Sequence, residues 1–177
     1  MVFEELQNFP EDVIEQWIKP YAELSGWPPK VGLDGVPADR WRYLLSLKPL
    51  SWWQNGEWVK CKGSLSIHDL SEGSRDSIIK MAFAYLTGAE NEYSLSMSDM
   101  RERLDKISEY LQSHKRLPCN PILYEGVDGI SVADGNHRLC MLYIFQGYFK
   151  LPVPEHMQVL VDKEIEYWIY RPVPIVG

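Results

Sequence analysis

Apolar positions along this chain recur with a helical period in some stretches and a strand-like period in others, and proline or glycine separates most of them. Phe9-Pro10-Glu11-Asp12 has the proline and acids of a helix start, and Val13, Trp17, Ile18 and Tyr21 follow at helical spacing. Pro20 is expected to end or bend that helix. Ser25-Gly26-Trp27-Pro28-Pro29 breaks the pattern, and 29–36 reads as loop. A second helix is predicted from near Pro37, with Trp41, Leu44 and Leu45 on its inner face. Asn55-Gly56 is a turn signal leading into a short strand, Glu57 to Lys60.

Ser64 to His68 alternates and predicts another strand, with Asp69 to Gly73 as a turn. Ser74 is the expected cap of a helix with Ile78, Ile79, Ala82, Phe83 and Leu86 inside and Gly88 as its stop. The clearest helix spans 96–116. Ser96 and Asp99 have capping-box spacing there, and Met100, Leu104, Ile107 and Leu111 form an apolar stripe. Ile122–Tyr124 and Ile130–Ala133 read as two strands joined by a turn from Glu125 to Gly129. A helix over 137–146, apolar nearly all round, is expected to be buried and to stop at Gly147. Met157–Val161 is predicted as a final strand, and Glu164–Tyr170 as a short helix or strand.

Composition narrows the class. With 177 residues, 45% apolar, 7 Trp and 10 Tyr, the chain can build a sizeable core. The expected organisation is a Trp-rich helical extension, 1–60, and a domain over 61–177. Six tryptophans (Trp17, Trp27, Trp41, Trp52, Trp53 and Trp58) fall in the first third. They can form a partner-binding surface or pack onto the following domain, and packing is the preferred reading. The acidic start, Met1-Val2-Phe3-Glu4-Glu5, is unlike a secretory signal. Three cysteines without a CxxC pair fit a reducing compartment, so a cytoplasmic protein with no membrane partner is expected. A net charge of −7 argues against coating of nucleic acid. A basic group, Arg101, Arg103, Lys106, Lys115, Arg116 and Arg138, can meet nucleic acid, but Glu102, Asp105 and Glu109 interrupt it. His68, His114 and His156 are too scattered to suggest zinc.

The stretch with most chemical content is Asp134-Gly135-Asn136-His137-Arg138, between a strand and a helix. A helix N-terminus presents unpaired N–H groups and partial positive charge, both suited to phosphate. Arg138 adds a planar fork of donors, and Gly135 permits a sharp turn. Phosphate contact is the preferred reading for His137 and Arg138 over an ion pair or a cap. Asp134 can ligate Mg²⁺, act as a base, or cap the helix.

The order of elements from Met97 to Val161, with Asn120-Pro121 upstream and Asp134-Gly135-Asn136-His137-Arg138 at its centre, resembles the ParB/sulfiredoxin superfamily. The resemblance implies an α/β (α+β) domain, a compact mixed sheet with packed helices, whose Gly-x-His-Arg turn holds a nucleotide. Gly135, Asn136, His137 and Arg138 would then bind ATP or a related nucleotide, with Mg²⁺ at Asp134. Catalytic carboxylates would be Asp134 and Glu72, with Glu90 and Glu92 as alternatives for the latter. Hydrolysis or transfer of phosphate is implied, with DNase activity in one branch and DNA as a partner there. The superfamily's reductases carry cysteine where Asn136 stands, so thiol chemistry at the turn is not expected. Few residues remain after Val161 for the DNA-reading helical domain of partition proteins. From a different class comes a non-catalytic module that grips a protein partner through its N-terminal aromatics.

Overall fold

The computed structural model describes residues 2–88 and 97–174. Glu90, Glu92 and Ser96 therefore lie outside the described residues. The elements are a short α1 (Glu11–Val13), a π-helical turn (Ile14–Ile18), α2 (Lys19–Ser25), α3 (Asp39–Leu44), α4 (Leu50–Gln54), β1 (Gly56–Gly63), α5 (Glu72–Thr87), α6 (Met97–His114), β2 (Ile122–Gly126), β3 (Gly129–Asp134), α7 (Asn136–Phe145) and β4 (Ile165–Pro172). The fold is mixed α+β.

The four strands lie in the order β1-β4-β2-β3. β4 pairs antiparallel with β1 and parallel with β2, and β2 and β3 form an antiparallel hairpin. Alternation along the central strand assigns its side chains to two cores. Ile165 and Ile169 join Leu123, α5, α6 and α7 in one. Tyr170 joins Ile122 and the N-terminal helices in the other, with Trp168 packed against it. Both faces of the sheet are thus covered, in helix–sheet–helix layers.

The second core is dominated by aromatic rings. Trp17, Trp41 and Trp53 are buried, and Trp53 contacts Trp17, Trp52 and Tyr170 at centroid separations of 5.3, 4.6 and 5.0 Å. Two of the indole N–H groups are satisfied locally, Trp53 donating to the Leu45 carbonyl and Trp41 to that of Gly26, whereas those of Trp58 and Trp168 are buried without a partner. Gly56 is needed here because a Cβ would strike the Tyr170 ring. β1, which carries Trp58 to this core, runs across the 60/61 line drawn on the sequence.

Two predicted strands are corrected. Residues 64–68 do not pair. Ser66 and Asp69 instead form a capping box around a 3-10 turn, Ile67–Asp69, so side-chain hydrogen bonds override the alternation. Residues 157–161 likewise form no strand. A 3-10 turn, Glu155–Met157, follows Pro154, and the place beside β2 belongs to β4. α5 is capped by Ser71 rather than Ser74, three residues earlier than expected. Within α5, Ile78, Met81, Ala82 and Ala84 are inside, whereas Ile79 and Phe83, expected there too, are exposed. Among the described residues no helix is long and apolar enough to cross a membrane.

Because Trp53 is fully buried among rings, Trp53→Ala should cost about 3–5 kcal/mol, read as a lowered urea midpoint.

Candidate functional site

The 134–138 turn is shaped by a register change. Leu123 pairs with Val132, but Ile122 pairs with Asp134, so Ala133 is an extra residue, a bulge at the end of β3. Regular alternation from Ile130 and Val132 would send Asp134 toward α5–α7. After the bulge its carboxylate meets the N-terminal layer instead, where the Gln16 amide donates to its Oδ2 at 3.4 Å. The same Gln16 Nε2 donates to the Asn120 carbonyl at 2.7 Å.

Gly135 follows at φ 118°, where side chains are rarely tolerated. A Cβ there would lie 3.1 Å from Arg138 Nη2 and 3.3 Å from the Pro121 Cα, so Arg138 folds back over the glycine. Its Nη2 donates to Asp134 Oδ2 at 2.8 Å, with the side chains 11% and 23% exposed. Gly135 has no side chain to cap α7, and none does so. The first-turn amides of Asn136, His137 and Arg138 therefore lack intrahelical acceptors.

Burial holds the His137 imidazole below its ordinary pKa; the Arg103 charge adds to this, Asp134 opposes it, and Arg138 contributes a smaller lowering. The ring is then neutral at pH 7 and offers an N–H rather than a cation. Tyr21, from α2, stays a phenol. Its pKa is raised first by burial and then by Asp134, while Arg103, Arg40 and Arg138 act in the opposite direction. α2 thus brings Tyr21 within electrostatic reach of the turn, and Arg40 of α3 acts on Tyr21.

On the other side of Asn136 lies a cavity of about 530 Å³. Its lining includes Lys48, Ser71, Ser74, Ser131 and Asn136, gathered from the loop before α4, the start of α5, β3 and α7. The Ser71 and Ser131 hydroxyls are 2.7 Å apart, and Ser74 Oγ accepts from the Val132 amide. The Lys48 ammonium lies 5.1 Å above the Trp52 ring. Asn136 Oδ1 is buried without a hydrogen-bond partner, a costly state that a ligand donor would relieve.

Glu72 is exposed in the first turn of α5, between the cavity-lining Ser71 and Gly73, and no hydrogen bond or ion pair joins it to Asp134. Among the described residues no group of three His, Cys, Asp or Glu is arranged to hold a metal. Asp134 Oδ1 remains the carboxylate atom available to a metal that also takes phosphate oxygens, a donor set Mg²⁺ accepts. Cys140, buried in α7, has its thiol pushed up by burial and is no nucleophile. Of the basic group, Arg101 lies over the Tyr85 ring and Lys106 pairs with Glu102.

Lys48, Ser131 and Gln16 carry no local signal that marks them for the site, and Tyr21 is legible in the sequence only as part of the apolar stripe of its helix. The single available signal was Pro20, which marks the distorted helix that carries Gln16 and Tyr21.

No family model, curated protein or solved structure matches this chain.

Two outcomes follow from the burial. The unfolded chain protonates a histidine near pH 6.5, whereas folded His137 resists protonation, so its contribution to stability is present above that pH and is lost as pH falls below it. Urea midpoints of wild type should drop between pH 7.5 and pH 5 by more than those of His137→Gln. In native protein, iodoacetamide should modify exposed Cys119 and spare Cys140, as read by peptide mass mapping.

Proposed function

We propose that the chain binds the phosphates of ATP or a related nucleotide at the N-terminus of α7 and hydrolyses or transfers phosphate from it. The observation that carries this reading is the uncapped α7. Glycine occupies the capping position, the first-turn amides are left without intrahelical acceptors, and an arginine lies back over the turn. Of the residues favoured at a helix start, glycine is the one that offers the amides no side-chain acceptor. The likeness of Asp134-Gly135-Asn136-His137-Arg138 to the ParB/sulfiredoxin turn supports the same reading.

In it, the phosphates accept from the α7 amides and the Arg138 guanidinium, with a neutral His137 N–H as a further donor. The remainder of the ligand extends past Asn136 into the adjoining cavity, whose volume lies within the range of small-molecule sites. Bound Mg²⁺ would offset phosphate charge and orient the nucleotide, with Asp134 as its protein contact. Asp134 otherwise serves to orient Arg138 and to balance its charge. Glu72, between the cavity-lining Ser71 and Gly73, is the candidate base.

A second reading, a protein-binding module, draws on Leu33 and Tyr43. Both are largely exposed on the N-terminal layer, at 111% and 74%. Loss of a partner in Leu33→Ser with nucleotide binding intact would favour it.

The first reading is tested by thermal shift with a nucleotide panel and Mg²⁺. A ligand at about 100 times its Kd adds about 2.7 kcal/mol to the native state, enough to raise Tm by several degrees. Wild type should show such a rise with at least one nucleotide, and Arg138→Ala should show none. Equal shifts in the two proteins would remove Arg138 from the site.

A further inference from the structure

Gln16 reaches the turn from a distant part of the chain. Its Nε2 reaches Asn120 O at 2.7 Å and Asp134 Oδ2 at 3.4 Å, spanning 104 and 118 residues of chain. It belongs to a π-helical turn, Ile14–Ile18, closed by the Lys19 amide on the Ile14 carbonyl. Pro20 explains the turn: it has no N–H to give the Gln16 carbonyl, and its ring crowds that carbonyl in a regular helix. Adding a residue to the turn relieves the crowding. Trp17 and Ile18, at 1% and 0% exposure, anchor the widened turn in the aromatic core, which fixes Gln16 against Asp134.

Asp134 Oδ2 therefore has two donors, Arg138 and Gln16. A phosphate arriving at the α7 amides competes for the guanidinium. If Arg138 turned to it, a largely buried carboxylate would lose its main partner, and an unpaired buried charge is costly.

We infer that Gln16 is a positioning residue of the phosphate turn, which retains the Asp134 carboxylate when Arg138 transfers to the ligand. The role rests on the phosphate-binding reading above. The two N–H groups of one amide suffice, one kept on the Asn120 carbonyl as a fixed pivot and one on Asp134. The N-terminal layer thereby sets the affinity of a turn formed by another part of the chain.

Calorimetric titration of the full chain with tripolyphosphate tests this. Gln16→Leu removes the amide at similar size, and Gln16→Asn is one methylene too short to span both acceptors. Each should weaken binding by about tenfold or more, equivalent to about one charge-assisted hydrogen bond. In an Asp134→Asn background, where no carboxylate needs retaining, the same substitutions should weaken it by less than about twofold. A purely structural role would give the same loss in both backgrounds and would overturn the inference. So would Gln16→Leu and Gln16→Asn proteins that bind as tightly as wild type. If wild type itself binds no tripolyphosphate, the phosphate reading fails and takes this role with it.

Discussion

Strand β4 is apolar on both faces and lies between β1 and β2, and the rest of the fold answers that constraint. A strand in such a position must be covered twice. Helices α5, α6 and α7 cover the side of Ile165 and Ile169. Phe9, Trp17, Trp41 and Trp53 cover the side of Tyr170. The tryptophan-rich N-terminus is therefore a structural layer of the sheet. Its rings meet largely edge-on or tilted, at separations favourable to aromatic pairs.

The same layer bears on the candidate site. α7 is apolar around its circumference and buried, so its N-terminus is held firmly at the end of β3. The bulge at Ala133 then turns Asp134 toward Gln16, and Arg138 folds over Gly135 to meet the same carboxylate oxygen. Local strand and helix structure forms the turn, while residues more than 100 positions away determine what its charged groups touch. A phosphate ligand at this turn would compete with Asp134 for the guanidinium, with a serine-lined cavity alongside.

Legibility in the sequence followed the range of the forces involved. The α6 stripe, the β2–β3 hairpin and the buried α7 came from periodicity and turn residues, which act within a few positions. The 64–68 and 157–161 strands failed for the same reason in reverse. Their patterns were strand-like, but a capping box in one and a proline-led 3-10 turn in the other satisfied the backbone first. Ile79 and Phe83 are apolar and one position from the buried stripe of α5, so residue type alone does not separate them from Ile78 and Ala82, which the packing against the other helices buries.

By itself, the sequence determined that a glycine turn with an arginine stands between a strand and a buried helix. It also determined that the chain has aromatic surface enough for a second core. Both are consequences of residue type at short spacing. Tertiary structure decided that β4, ambiguous as helix or strand, is the centre of the sheet, because pairing partners and not local preference select a strand. It decided too that Asp134 faces Gln16, since a one-residue bulge reverses the side of a strand without leaving a mark in the pattern.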